Sequence, residues 1–257
     1  MNLYEEKESA LIPDFSVLAS DGNARVGEFR MPRHSLQTPT FMPVGTRGSV
    51  RTITSQDLEE IGADIILGNT YHLMLRPGEA LIEEFGGIHG FANWPRLVLT
   101  DSGGYQVFSL EPYVDDDGVE FKSTYDGSMH RLTPEKAVEI QISLGSDIQM
   151  VLDVCPPIPA ENGVVEMAVE RTHQWAKRGR DHFLKIRDSG HSDKAQFGIV
   201  QGGLNSDLRR VSAEQIVEVG FDGYAIGGLS VGETRQEMIE PMNISVEGLP
   251  VDRPRYF

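Results

Sequence analysis

Polar side chains and glycines follow five short apolar runs of this 257-residue chain. They are Asn69, Asp101, Asp153, Gln201 and the backbone of residues 227–229. Two carboxylates, two carboxamides and free backbone groups can donate and accept several hydrogen bonds around one ligand. If the runs are parallel strands of a barrel, their carboxyl ends meet at one face, and all five positions converge there. Such a set suits a flat, hydrogen-bonding heterocycle.

The apolar runs are too short and too continuous for surface helices, and several are followed by segments that can start a helix. This alternation predicts an α/β fold, a (β/α)8 TIM barrel. Six strands and the start of a seventh are expected at residues 38–46, 62–69, 97–100, 147–155, 195–203, 223–230 and 255–257. Because eight strands close such a barrel, the sequence predicts an incomplete one.

The segments between the strands carry recognisable start and stop signals. Ser55 is expected to cap a helix over 56–62, Gly86 and Gly87 to close a helix over 78–87, and Thr133-Pro134-Glu135 to begin another. A long helix is predicted over 161–187. The basic residues in its C-terminal half are interpreted as interacting with the helix dipole and with solvent, rather than as forming a phosphate-binding face.

Two hairpins are predicted outside the barrel. One covers 15–29, with its turn at Asp21-Gly22-Asn23, and the other is an insertion at about 113–132 with turn signals at Asp117-Gly118 and Asp126-Gly127. Residues 1–257 are therefore expected to be the N-terminal part of a single barrel domain. Because its sheet edges are unpaired, the isolated chain is expected to aggregate or remain molten.

Composition limits the function classes. The formal net charge of −16 argues against general affinity for nucleic acid. The single cysteine, Cys155, cannot form an internal disulfide, which agrees with a reducing compartment. No apolar stretch is long enough to span a membrane, and residues 1–15 lack the basic and apolar regions of a signal peptide. A cytoplasmic location is expected.

Four motifs resemble those of the tRNA-guanine transglycosylases, the queuine tRNA-ribosyltransferase family. They are GNTYHLMLRPG (68–78), LTDSGGYQVFSL (99–110), FGIVQGG (197–203) and FDGYAIGGLSVGE (221–233). The resemblance extends from about Phe15 to Phe257. It implies a (β/α)8 barrel with a zinc subdomain, and a homodimer that exchanges guanine for a 7-deazaguanine at the wobble position of certain tRNAs in the queuosine pathway.

The resemblance also implies how the base is held. Asp153 matches the base-binding aspartate and can accept hydrogen bonds from the N1-H and 2-amino groups of guanine. Gln201 and the Gly228 N–H match donors to O6, and the Leu229 carbonyl matches the group that contacts the substituent on the deaza ring. Tyr105 resembles the aromatic lid that stacks on the base.

The catalytic groups follow in the same way. Asp101 matches the aspartate that recognises the base and shuttles a proton, and Asn69 matches the asparagine that holds it. The nucleophilic aspartate and the cysteine-rich zinc ligands are expected beyond Phe257, so this chain alone is expected to be inactive. Its seven histidines are dispersed, and no metal site is predicted within it.

One position departs from the family pattern. Bacterial members usually have Asp-Glu-Cys where this chain has Asp153-Val154-Cys155. In the family, this glutamate helps to orient the backbone near Leu229. Because valine replaces it here, the identity of the incoming base stays open among three candidates: 7-aminomethyl-7-deazaguanine, queuine and a nitrile form. Glu233 could supply the charge instead, which favours the aminomethyl base. Cys155 is not expected to act as a nucleophile.

Three functions stay open at this point. The first is a transglycosylase acting on tRNA, which the motifs favour. The second is a paralogue that inserts deazaguanine into DNA. The third is a non-catalytic partner subunit, and the retention of Asp101, Tyr105, Asp153 and Gln201 argues against it, because a binding subunit does not need a complete base pocket.

Overall fold

The computed structural model of the protein describes residues 13–191 and 193–257. Residues 1–12, which make up most of the segment that lacks signal-peptide features, lie outside the described residues. The chain begins with an antiparallel sheet of three strands, β1 (Asp14–Asp21), β2 (Ala24–Arg30) and β3 (Ser35–Thr38). The predicted hairpin is confirmed, since β1 and β2 pair across a turn at Gly22, where φ is +57°. Strand β3 was not predicted.

The remaining helices and strands alternate along the chain. In order, they are α1 (Ser55–Glu60), β4 (Ile65–Gly68), α2 (Thr70–Leu75), α3 (Glu79–Glu84), α4 (Gly87–Ala92), β5 (Leu97–Thr100), α5 (Gly104–Phe108), β6 (Tyr113–Val114), β7 (Val119–Lys122), β8 (Met129–Leu132), α6 (Pro134–Ser143), β9 (Ile148–Met150), α7 (Asn162–Asp188), β10 (Ala195–Val200), α8 (Ser206–Val219), β11 (Gly223–Ile226), α9 (Arg235–Glu247) and β12 (Arg255–Tyr256).

Six of these strands form one parallel sheet in the order β12-β11-β10-β9-β5-β4. Each neighbouring pair is parallel, and helices lie between successive strands, which is the βα repeat. The sheet strands are almost continuously buried, as is typical of a parallel sheet covered on both faces. The α/β class and the incomplete TIM barrel are therefore confirmed.

The predicted first barrel strand, residues 38–46, is wrong as a strand. Only one parallel bridge is present, between Val44 and Leu67. Leu67 N donates to Pro43 O at 2.9 Å, and Gly45 N donates to Leu67 O at 2.7 Å. Pro39 and Pro43 have no N–H, so this segment cannot continue a regular ladder.

The N-terminal sheet covers the end of the barrel where the parallel strands begin. Phe29 of β2 and Leu36 of β3 are buried against Ile65, Ile148 and Phe197, which start or follow the start of three sheet strands. The rings of Phe29 and Phe197 lie 6.0 Å apart. This apolar layer leaves the opposite end, where the strands finish, open for a site.

Helix signals in the sequence were mostly correct. Thr133 caps α6 with Pro134 in its first turn, and α7 begins and ends within one residue of the prediction. Ser55 as a cap is wrong: Thr54 is the N-cap of α1 and forms a reciprocal capping box with Asp57. A threonine followed three residues later by an acid satisfies two backbone donors at once.

Basic residues at the end of α7 form specific ion pairs. Arg180 and Arg187 both contact Asp222, at 2.9 and 3.2 Å. Arg178 contacts Glu135 with two nitrogens, at 2.8 and 2.9 Å. These contacts fasten α7 to α6 and to the start of β11, so those arginines have structural partners beyond solvent and the helix dipole.

The insertion at 113–132 is a small antiparallel sheet in the order β6-β7-β8, outside the barrel as predicted. It is joined to the barrel by Tyr71 of α2, whose ring lies 5.7 Å from that of Phe121 and whose hydroxyl lies 2.9 Å from Thr124 Oγ1.

None of the helices in the described residues combines the length and the apolar character that a membrane span needs.

Candidate active site

A cavity of about 250 Å³ lies where β5, β9, β10 and β11 end. Its walls include Asp101, Ser102, Asp153, Cys155, Gly228 and Leu229. Asp101, Asp153 and the backbone of residues 227–229, which the sequence places after three separate strands, therefore line one cavity. Asn69 and Gln201 do not line it, but they bond to Asp101 and Asp153 respectively. A second cavity, lined mainly by apolar side chains including Phe29 and Phe197, lies at the opposite end of the strands.

Asp101 directly follows β5 and is held by three donors. Thr70 N and Gly103 N each lie 3.0 Å from Oδ1, and Asn69 Nδ2 donates to Oδ2 at 2.6 Å. Burial raises the pKa of Asp101 to about 7, and the charge of Asp153 adds to the rise, while the three hydrogen bonds oppose it. A carboxyl group with this pKa can both give and take a proton near neutral pH.

Asn69 is oriented by its own helix. It caps α2, and its Oδ1 accepts a hydrogen bond from His72 N at 3.0 Å. Its amide nitrogen is then left to contact Asp101. An aspartate here could cap the helix but could not donate to a second carboxylate, which explains why the position requires an amide.

Asp153 and Gln201 form the second polar pair. Gln201 Nε2 donates to Asp153 Oδ2 at 2.6 Å, and both side chains are buried. Burial raises the pKa of Asp153 to about 6, against the lowering effect of Gln201 and Ser102. Gln201 Oε1 is buried and has no hydrogen-bond partner within the structure.

The end of β11 requires glycine at two successive positions. Gly228 has a φ of +63°, and a Cβ there would lie 2.3 Å from Gln201 Oε1. A Cβ on Gly227 would lie 2.6 Å from a methyl carbon of Ile199. The backbone can therefore approach the cavity, and the Gly228 N–H faces the sulfur of Cys155.

Beyond Gly228, the backbone is held by Glu233. This carboxylate accepts hydrogen bonds from Ser230 N and from Val231 N, the latter at 3.0 Å. In a trans peptide the C=O and N–H point in opposite directions, so the Leu229 carbonyl points away from Glu233. Leu229 itself lines the cavity.

Tyr105 and Cys155 occupy different parts of the wall. Tyr105 lies on α5, lines the cavity, and is 59% exposed, so its ring can cover an incoming ligand. Burial raises the pKa of the Cys155 thiol to about 12, with Asp153 nearby, so the thiol stays protonated. Val154 is partly buried against apolar core side chains, and its N–H is bonded to Thr172 Oγ1 at 2.9 Å.

Two residues of the site were missed by sequence reasoning. Tyr256 of β12 lines the cavity, and its pKa is raised by burial and then by the charge of Asp101. Arg209 of α8 is fully buried and contacts the backbone of residues 227 and 228. Arg209 shares one face of α8 with Ser212, Ala213 and Ile216. An arginine on a helical face of small and apolar residues was the signal available in the sequence.

Within residues 13–191 and 193–257, no cluster of three or more histidine, cysteine, aspartate or glutamate side chains is placed to hold a metal ion.

Comparison with known proteins agrees with the motifs. The family model described as queuine tRNA-ribosyltransferase matches residues 20–257. A queuine tRNA-ribosyltransferase from Thermotoga neapolitana is 52% identical over 245 residues, covering 95% of this chain and 65% of the relative. Proteins of the same name from Natranaerobius thermophilus and Halothermothrix orenii are 50% and 48% identical, over 93% and 91% of this chain and 64% and 61% of their own lengths. The chain thus spans about 65% of the length of the first of these relatives.

Proposed function

The chain belongs to the queuine tRNA-ribosyltransferase family, and on that premise we propose that the complete protein is a tRNA-guanine transglycosylase, a pentosyltransferase. Its strand-end cavity binds guanine and its 7-deaza analogues at the wobble position of tRNA. The observation that carries this proposal is the meeting of Asp101 and Asp153 in one cavity, with Gln201 bonded to Asp153 and the pKa of both acids raised.

The base is bound by its hydrogen-bonding edge. An ionised Asp153 accepts from the N1-H and 2-amino groups, and the Gly228 N–H donates to O6. Gln201 has a second amide proton beside the one given to Asp153, and this proton is available for O6. Tyr105 stacks on the face of the heterocycle, as aromatic side chains do with unstacked bases.

Asp101 moves the proton. In the exchange, a nucleophilic carboxylate of the complete protein bonds to ribose C1′ as the C1′–guanine bond breaks, and guanine leaves with a proton. The incoming base then displaces that carboxylate from C1′ and loses its proton. With a pKa of about 7, Asp101 gives the first proton and takes the second. Asn69, Thr70 and Gly103 keep the carboxyl group in place throughout.

The incoming base is proposed to be 7-aminomethyl-7-deazaguanine. Glu233 holds the N–H groups of Ser230 and Val231, so the Leu229 carbonyl is turned the other way and can accept from an ammonium group. Val154 removes one acid beside Asp153 but leaves this arrangement of Glu233 in place. The choice over the nitrile form rests on the carbonyl, because a nitrile offers no donor to it.

The homodimer, the cytoplasmic location and the structural zinc remain proposals for the complete protein. They follow from the family resemblance and from the single cysteine. Light scattering and zinc analysis of the protein expressed from its complete gene test the first and third of these.

The function is tested by incorporation of radiolabelled guanine into tRNA by the protein from the complete gene. Replacing Asp101 by asparagine is expected to lower the rate by about 10³-fold, because general acid–base catalysis contributes on that scale. The matched control is Asp207→Asn, an acid on α8 whose side chain is 93% exposed. Retained turnover in Asp101→Asn would refute the assigned role.

Exchange assays on tRNA and DNA, together with calorimetry, separate the alternatives. Incorporation into DNA but not into tRNA would identify the DNA-modifying paralogue. Base binding by calorimetry without exchange, restored only when a second type of subunit is added, would identify a partner subunit. Failure of the wild-type protein to bind guanine at all would overturn the proposal.

A further inference from the structure

The geometry points to Arg209 as a positioning residue that sets the base-reading conformation of residues 227–229. This inference rests on the proposed function for the identity of the base, but its structural part concerns the loop alone. Arg209 lies on α8, behind the loop as seen from the cavity, and does not itself line the cavity.

The Arg209 guanidinium joins the ends of two neighbouring strands. Nε donates to Gly203 O at 2.8 Å and Nη1 to Val200 O at 3.3 Å, which are both at the end of β10. Nη1 and Nη2 donate to Gly227 O at 2.6 Å and Gly228 O at 3.0 Å, just after β11. One rigid fork thus holds four carbonyl groups at and just beyond the ends of two strands.

These contacts determine which way the peptide groups face. The Gly227 carbonyl points to Arg209, so the N–H of Gly228, on the opposite side of the same trans peptide, points towards Cys155 and the cavity. This N–H is the donor proposed for O6 of the base. A hydrogen bond from a cation to the carbonyl also polarises the peptide and strengthens its N–H as a donor.

The charge of Arg209 is unusual for its depth. Its side chain is fully buried, and its hydrogen-bond acceptors are all backbone carbonyls. Buried cations are ordinarily paired with a carboxylate. Burial lowers the pKa of Arg209 to about 10, partly offset by the nearby Cys155 and Glu233, so the side chain stays charged near neutral pH. A buried cation whose hydrogen bonds all go to carbonyl groups beside a cavity suits a role in shaping that cavity.

Replacing Arg209 tests the inference, with Arg210 as the matched control. Arg210 is the next residue of α8, its side chain is 55% exposed, and its contact is with Asp207. Arg209→Met is expected to raise the KM for the incoming base about 10- to 100-fold, the loss of one to two good hydrogen bonds, while kcat at saturating base changes less than about threefold. Arg209→Lys keeps the charge but cannot span four carbonyls, so it should recover part of the affinity. Arg210→Met should match the wild type.

Two further measurements separate a positioning role from a general loss of folding. Amide hydrogen exchange without any base is expected to speed up in residues 226–231 of Arg209→Lys and to stay unchanged in the other strands. Added guanidinium, but not methylammonium, is expected to lower the raised KM of Arg209→Ala.

The outcomes are distinct. Unchanged exchange in residues 226–231, or a fall in kcat with an unchanged KM, would overturn the inference. If the wild type binds no guanine while the exchange of 226–231 still depends on Arg209, the proposed function fails and the positioning of the loop stands. If Arg209→Met does not fold, the kinetics and hydrogen exchange of Arg209→Lys decide.

Discussion

The two ends of the parallel sheet use aspartate in opposite ways. Where strands β4, β9 and β11 begin, the residue just before each strand is an aspartate, and each meets cationic or histidine side chains. Asp64 contacts Arg96 and His34, both at 3.0 Å. Asp222 contacts Arg180 and Arg187, at 2.9 and 3.2 Å.

Asp147 is the most enclosed of these acids. It accepts from Val98 N at 2.8 Å and lies 2.8 Å from His89 Nε2, 3.3 Å from Arg33 Nε and 3.9 Å from Lys194 Nζ. Its side chain is only 3% exposed. A buried carboxylate with these partners joins four other segments of the chain and stabilises the fold.

The acids at the opposite end have a different environment. Among the described residues, no arginine or lysine forms an ion pair with Asp101 or Asp153. Amides, a hydroxyl and backbone N–H groups surround them instead, and burial raises the pKa of each. Because these pKa values, about 7 and about 6, lie close to neutral pH, the two carboxyl groups can change protonation state easily, which suits proton transfer. The contrast agrees with the general division of barrels into a stabilising N-terminal end and a functional C-terminal end.

The largest effect on stability is expected at Asp147. Replacing it by asparagine leaves His89, Arg33 and Lys194 around a neutral group, and breaking a buried ion pair on one side costs about 3–5 kcal/mol. Urea unfolding near neutral pH measures this loss. The control, Asp252→Asn, removes an acid that is 70% exposed and should change little. A loss at Asp147 no larger than in this control would break the comparison.

Replacing Asp153 by asparagine is expected to stabilise the protein, in contrast to the replacement of Asp147. The pKa of Asp153 in the folded protein, about 6, lies above the ordinary value of 3.8, so the folded state holds the proton more tightly than the unfolded state. Ionisation therefore lowers stability as the pH rises from about 4 to about 6. Asp153→Asn removes this penalty and should gain about 1–3 kcal/mol relative to the wild type above that window.

Thermal unfolding at about pH 4 and above about pH 7 measures the difference, which should grow between the two conditions. A difference between Asp153→Asn and the wild type that stays constant with pH would contradict the raised pKa. Asp207→Asn, on the solvent side of α8, provides the control.

The smallest effect is expected at Arg33. Its side chain is 40% exposed, and its Nε lies 3.3 Å from Asp147. Because Asp147 keeps His89, Lys194 and Val98 N, Arg33→Met should cost less than about 1 kcal/mol in urea unfolding. A loss as large as that of Asp147→Asn would show that this exposed partner, and not the buried ones, stabilises the N-terminal end.

Much of the barrel could be predicted from local patterns. Continuous apolar runs marked the strands that are buried on both faces, and the segment Thr133-Pro134 marked the start of α6. Residues 38–46 were misassigned because their apolar residues resemble a strand, while their prolines prevent the ladder. The cap at Thr54 was missed by one residue, because adjacent Thr54 and Ser55 carry the same hydroxyl signal and only the contact with Asp57 distinguishes them.

The residues of the candidate site and their arrangement were each predictable only in part. Asp101, Asp153, Asn69, Gly228 and Leu229 follow their strands and could be assigned from motifs. Arg209 could not, since its role depends on carbonyl groups up to 19 positions away that no local pattern connects to it.

The sequence by itself determined which residues stand at the end of each strand, because the length and apolar character of a run are local properties of the chain. Only the tertiary structure decided their partners and protonation. Gln201 and Asp153 are 48 positions apart, and Asn69 and Asp101 are 32 apart, yet each pair shares a hydrogen bond of 2.6 Å. The pKa of a carboxyl group follows from the water removed and the donors assembled around it, and both are set when distant segments pack together.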